Sequence, residues 1–268
     1  MKKAADVAEE ASNSHAFAMV ARAGFAVSGL LHLLIGVIAL QLAVGGGSGE
    51  ADVSGAVASL ASQPVGPVLL WACFAACAVL ALWQLGNAVL GYRNQSDNKL
   101  TKRLSAAGQA VVFAGLAATI VSFVMGNGQS SRESSTDGTA ALMKAPFGVF
   151  LLVAVGAAIA ITGVVFAVRG FRKTFTKDLQ LSSGQTVRKV QRGVGVVGYI
   201  AKGIALFLVG LLVVIAAVRA QPEQSTGLDG SLKALKEQPY GPYLLAAVAV
   251  GLIAYGVFLM VKARTLKT

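Results

Sequence analysis

Six stretches of this chain run for 24 residues or more without an aspartate, glutamate or arginine, and one lysine is the only charge in any of them. They cover residues 23–49, 53–92, 104–131, 145–168, 193–218 (interrupted by Lys202) and 238–261. A bilayer core is crossed by about 20 apolar residues in helix. Trimmed at glycines, prolines and polar clusters, the six stretches predict helices over 25–44, 65–90, 104–125, 145–168, 193–218 and 239–261. A soluble helical bundle would instead carry polar stripes with charges every turn or so. Composition argues the same way: 13% of residues are charged, against about 25% in soluble domains, and 31 glycines suit helices that approach one another closely. The expected fold class is all-α, a polytopic membrane protein with six transmembrane helices.

The connecting segments set an orientation, because cytoplasmic loops collect lysine and arginine. Segments on the side of both termini hold 17 of the 23 basic residues, among them Arg93, Lys102, Arg103, Arg169, Arg192 and Arg264. The opposite side holds five, Arg132, Lys144, Arg219, Lys233 and Lys236. The net charge of +11 therefore resolves into a basic rim on one side and a slightly acidic face on the other. Both termini are expected in the cytoplasm. The segment 1–20 is polar and contains Asp6, Glu9 and Glu10, which does not fit a secretory signal. The first helix is expected to be an uncleaved span.

The chain also repeats itself, and a repeat is best sought before finer structure. The odd-numbered spans share a Gly-x6-Gly spacing: Gly29 and Gly36, Gly108 and Gly115, Gly203 and Gly210. The even-numbered spans each follow a Pro-x-Gly turn at Pro64-Val65-Gly66, Pro146-Phe147-Gly148 and Pro239-Tyr240-Gly241. Upstream of each proline lies a Ser-Gly or Asp-Gly pair: Ser54-Gly55, Asp137-Gly138 and Asp229-Gly230. Such pairs suit a helix N-cap or turn. A short amphipathic helix is expected after each, with Val57 and Leu60, Ala141 and Leu142, and Leu232 and Leu235 on its apolar side. These helices would lie on the outer membrane surface, apolar side down. The proline would stop the short helix and open the next span. The resulting organisation is a segment over 1–20, repeat 1 over 21–93, repeat 2 over 101–173, a basic linker over 174–192 and repeat 3 over 193–264. Each hairpin enters and leaves on one side, so the repeats are parallel. Either a pseudo-threefold ring of hairpins or an antiparallel six-helix layer satisfies that pattern, with the ring preferred.

The Gly-aromatic beginnings Gly24-Phe25 and Gly198-Tyr199, the second glycine of each odd span, and Gln238-Pro239-Tyr240-Gly241 resemble the bacterial membrane family catalogued as domain of unknown function 1206. Gln63-Pro64-Val65-Gly66 lacks the aromatic, and Ala145-Pro146-Phe147-Gly148 lacks the glutamine. The resemblance covers three copies of a two-helix unit over about 21–264. It implies a six-span plasma-membrane protein of a family typical of actinobacteria. It brings no activity and no catalytic residue.

Ionisable groups inside a bilayer are costly and are functional candidates by default. Two occur, His32 and Lys202. With no carboxylate inside any span, a lone His32 reads as a neutral, hydrogen-bonded ring, and a proton-coupled pump is disfavoured. Lys202 lies ten residues past Arg192, about 15 Å along a helix. Its stem can snorkel to the headgroups or meet a lipid phosphate or a partner. The segment 171–192, with Arg172, Lys173, Arg188 and Lys189, reads as an anchor for anionic lipid. It has no aromatic platform for nucleic acid. Gln84 and Asn87 share a helix face and are expected to bond to a neighbouring helix. Cys73 and Cys77 lack the further ligands a zinc site needs and read as packing residues. No enzymatic activity, metal or cofactor is expected. The expected function is a structural or accessory subunit that packs against a larger membrane complex or itself. The alternative is a protein that binds, or passively conducts, lipid or a small apolar molecule.

Overall fold

The computed structural model describes residues 15–46, 49–90, 99–128, 130–178 and 185–265. Most of the segment expected over 1–20, the Arg93 loop and part of the basic linker lie outside the described residues. Among the described residues the chain is all α-helical, with no strand. Its helices are α1 (His15–Ala43), α2 (Val53–Ala61), α3 (Gly66–Leu90), α4 (Lys99–Val124), α5 (Ser131–Met143), α6 (Gly148–Arg172), α7 (Gln185–Arg219), α8 (Gly227–Lys236) and α9 (Gly241–Thr265). Six of them, α1, α3, α4, α6, α7 and α9, are long and apolar enough to cross a membrane. Four agree with the predicted spans to within about five residues at each end, while α1 and α7 begin ten and eight residues earlier than predicted.

The short helices differ in detail from expectation. Their N-caps are Asp52, Ser130 and Thr226, and the Ser-Gly and Asp-Gly pairs fall inside the helices. The pair at Gly55 answers to space, because a Cβ there would lie 1.9 Å from the Glu50 carbonyl oxygen. The apolar sides of α2 and α8 also turn away from the expected surface position. Val57 and Leu232 are fully buried in the main core with Ile35, Leu70, Ile120, Leu245 and Leu252. These two helices cap the bundle at the end opposite the termini, and burying them in protein removes more apolar area than resting them on a surface. In α5, by contrast, Ala141 and Leu142 are exposed.

The Pro-x-Gly turns also receive a physical reason. The first proline stays in the turn, and the long helix opens on the glycine at Gly66, Gly148 or Gly241. At each of these a Cβ would lie within about 2 Å of a carbonyl oxygen from the end of the short helix: 2.1 Å from Leu60, 1.6 Å from Leu142 and 1.9 Å from Lys236. Only glycine lets the chain double back so tightly.

The closest helix pairings join one repeat to the next: α9 with α1, α6 with α7, and α3 with α4, followed by α7 with α9. The long helices of repeat 2, α4 and α6, scarcely touch. Two of the three pairings are sealed by glycine. A Cβ on Gly203 would sit 2.6 Å from the Gly163 oxygen, and one on Gly210 2.5 Å from the Gly156 oxygen. Likewise Gly29 and Gly256 each oppose the other's carbonyl, and Gly36 opposes Ala249. Such backbone contact is how membrane helices associate without a hydrophobic gradient. The third pairing lacks it. Gly108 and Gly115 have nothing within 4 Å of a would-be Cβ and are exposed. The reason lies in α3. Eight residues after its turn glycine stands Phe74, where α6 has Gly156 and α9 has Ala249. A phenyl ring cannot enter a glycine groove, and Phe74 packs instead on the core and edge-on against Trp71.

At the capped end the three repeats are tied in a cycle. Asp229 of repeat 3 accepts from the Ala51 N–H of repeat 1 at 2.8 Å. Ser54 of repeat 1 accepts from the Ser131 N–H of repeat 2 at 3.0 Å. Thr139 of repeat 2 donates to the Ser225 hydroxyl of repeat 3 at 2.8 Å. This closed order is that of a pseudo-threefold ring and not of a flat layer.

Candidate functional site

Deep in the bundle, helices from all three repeats converge on Lys202. It reaches from α7 between the rings of Phe166 on α6 and Tyr255 on α9. Its ammonium lies 5.2 Å and 4.4 Å from their centroids and 3.5 Å from the Tyr255 hydroxyl oxygen. His32 of α1 meets Tyr255 from another side, edge-on at 5.0 Å. Its Nδ1 lies 2.7 Å from the Ser28 carbonyl oxygen, and because a carbonyl can only accept, Nδ1 is the protonated nitrogen of that pair. Both intramembrane candidates of the sequence are thus brought to one tyrosine.

Further aromatics complete the surroundings. Tyr199 stacks on Phe166 at 5.5 Å and on Phe175 at 4.9 Å, and Phe258 stands edge-on to Phe175 and Tyr199. Aromatic faces attract a cation by about 2 kcal/mol or more when the site is desolvated, which is how Lys202 is tolerated. The other predicted contacts lie elsewhere. Arg172 and Lys173 end α6, and Arg188 and Lys189 begin α7, all exposed. Gln84 bonds across to Gln109 of α4 and accepts from Asn87 at 3.1 Å. Cys73 and Cys77 are free thiols buried in the core.

Sequence reasoning passed over two groups. Tyr255 gave no signal beyond being an aromatic in a span, since a linear pattern does not show which way a helix faces. Of the cap carboxylates, Asp229 was read only as part of an N-cap or turn pair, and Asp52 was not singled out. Asp229 is fully buried, with one oxygen on the Ala51 N–H and the other paired with Lys233 at 2.6 Å. Asp52 is buried too. Its Oδ1 accepts from Ser54 and the Gly55 N–H, while its Oδ2 has no partner among the described residues.

Burial pushes the Asp52 carboxyl above its ordinary range, and the neighbouring Glu50 and Asp229 add to this, partly offset by the bonds from Ser54 and Gly55. The folded protein therefore holds this proton more tightly than the unfolded chain does. The stabilisation is fully present below the ordinary carboxylate range and fades as pH rises from there through the raised value. Asn caps a helix about as well as Asp and carries no charge. Asp52→Asn is expected to raise the thermal midpoint at about pH 8 by roughly 2–4 °C. It should also flatten this part of the pH dependence, as read from melting curves at several pH values.

No solved structure matches the chain. It is 28% identical over 244 residues to the Bacillus subtilis (strain 168) protein titled "Uncharacterized protein YxxB", an alignment covering 90% of this chain and 88% of that protein. A family match recurs three times, over residues 23–91, 104–173 and 197–266, each holding one Gly-x6-Gly helix, one cap helix and one Pro-x-Gly helix. The chain belongs to the family described as Domain of Unknown Function (DUF1206), which it carries in three tandem copies.

Proposed function

We propose that this protein is a non-enzymatic accessory subunit of the bacterial plasma membrane, which packs its α4 face against a transmembrane helix of a larger complex or of a second copy. One observation carries the reading. Of three equivalent Gly-x6-Gly faces, two are closed by backbone contact and the third, Gly108 and Gly115, is open. A glycine groove on a membrane helix is a surface for close helix approach. The α3 and α4 pair that bears it is also poorly buried, with 22% and 17% of the spanning windows inside the protein.

Both termini lie in the cytoplasm in this reading, by the placement of the basic residues. The exposed Phe147, Phe150, Tyr240 and Tyr243 gather at the capped ends of α6 and α9, where aromatic belts meet the interface. Arg172, Lys173, Arg188 and Lys189 meet anionic lipid on the terminal side. Nucleic acid has no part in it. The filled core at the capped end speaks against a passive conduit.

The test is purification from the native membrane in mild detergent. The reading expects a stoichiometric membrane partner or a second copy, lost in Gly115→Leu without loss of the folded monomer. A lone monomer from wild-type membranes would contradict it.

A further inference from the structure

A groove of about 570 Å³ runs along the outside of the α1 and α9 pair at the terminal end, within the range of about 300–1,000 Å³ typical of ligand clefts. Ala26, Leu33, Val257 and Val261 line its length, and Arg22 and Arg264 stand at its mouth. Among the described residues no acidic residue lines it. Arg22 to Leu33 is eleven residues, about 16 Å at 1.5 Å per residue, or half of a hydrocarbon core of roughly 30 Å. The groove therefore has the depth of one leaflet, with its charge at headgroup level. The Arg22 Nε is buried and has no hydrogen-bond partner among the described residues. A buried, unsatisfied guanidinium nitrogen carries a cost that a ligand acceptor removes.

We infer that this groove binds one anionic phospholipid, its phosphate gripped by Arg22 and Arg264 and one acyl chain lying along Ala26, Leu33, Val257 and Val261. Two guanidinium forks match phosphate oxygens in a way that a diffuse surface charge does not. The apolar trough adds chain contacts that a free anion cannot make. The inference rests on the membrane reading and on the helix ends given above. It is separate from the accessory role, since the α4 face takes no part in it.

The experiment uses the full chain in lipid nanodiscs and in detergent, with phosphatidylglycerol, phosphatidylcholine and inorganic phosphate as probes and retained lipid read by native mass spectrometry. The expected result is at least tenfold preferential retention of phosphatidylglycerol over phosphatidylcholine. The preference should be lost in the double variant Arg22→Gln and Arg264→Gln, and kept in the cap-side control Lys144→Gln. Ala26→Trp, which fills the trough and leaves both arginines, is expected to lower retention as well, with melting curves reporting that each variant is folded. Equal retention of the two lipids, or unchanged retention in the folded double variant, overturns the site. Displacement by millimolar inorganic phosphate overturns the lipid as its occupant. Release of the chain from native membranes by alkaline carbonate would remove the membrane reading itself, and the site with it. A chain that stays inserted and shows no lipid preference removes the site alone.

Discussion

Gly203→Leu is expected to abolish the folded protein, while Gly108→Leu, the same change at the equivalent position one repeat earlier, is expected to leave it standing. At Gly203 a Cβ would lie 2.6 Å from both the Ala167 nitrogen and the Gly163 oxygen. Both are backbone atoms of α6, so no side chain can move aside and the helices have to part. Overpacking costs about 1–3 kcal/mol where side chains can yield, and a backbone clash in the most extensive helix pairing falls at or above the top of that range. At Gly108 nothing lies within 4 Å. Removing a glycine from a helix interior is there worth up to about 1 kcal/mol in propensity. Size-exclusion profiles and melting curves of the two variants in one detergent check the contrast. If Gly108→Leu were as damaging as Gly203→Leu, the α4 face would be covered in the folded monomer and the accessory reading would lose its basis.

The second large effect lies in the cap. Asp229→Ala removes the acceptor of the Ala51 N–H and the partner of Lys233 together. Truncating one member of a buried pair leaves the other groups desolvated and unsatisfied, at about 3–5 kcal/mol when the site is closed. Lys233 keeps 35% of its side-chain exposure and can turn to solvent, so about 2–4 kcal/mol is the better figure, most of it from the stranded backbone N–H. Asp229→Asn keeps an acceptor for Ala51 and is expected to cost less than half as much. Melting curves of both variants test this. A loss in Asp229→Asn equal to that in Asp229→Ala would locate the stabilisation in the Lys233 pair and not in the link between repeats 3 and 1.

The sequence carried the six long helices and the three-fold repetition because both are written as local patterns. Freedom from charge marks a span, and Pro-x-Gly marks a turn whose glycine is demanded by a carbonyl a few residues upstream. Helix rotation is not local. That is why the sequence could show Gly-x6-Gly three times without showing that Gly108 and Gly115 face outward, although Phe74 in the partner helix is the residue that decides it. The same limit hid the meeting of His32 and Lys202 at Tyr255, which depends on how α1, α7 and α9 turn towards one another. Asp229 was misread for a related reason. Its Asp-Gly pair looks like the start of a helix, yet its carboxylate is spent on the backbone of another repeat 178 residues away.

In the proposed topology, three parallel repeats place all their cap helices on one side of a membrane and their ends on the other. Single cysteines at Ser59, Glu133 and Glu237, exposed positions on or at the end of the three cap helices, and at Arg172 and Arg264 on the opposite side, test it directly. They are introduced with Cys73 and Cys77 replaced by alanine. The measurement is labelling of intact cells with a membrane-impermeant maleimide, before and after permeabilisation. The three cap positions are expected to label in intact cells, and Arg172→Cys and Arg264→Cys only after permeabilisation. Cap positions divided between the two classes would contradict it.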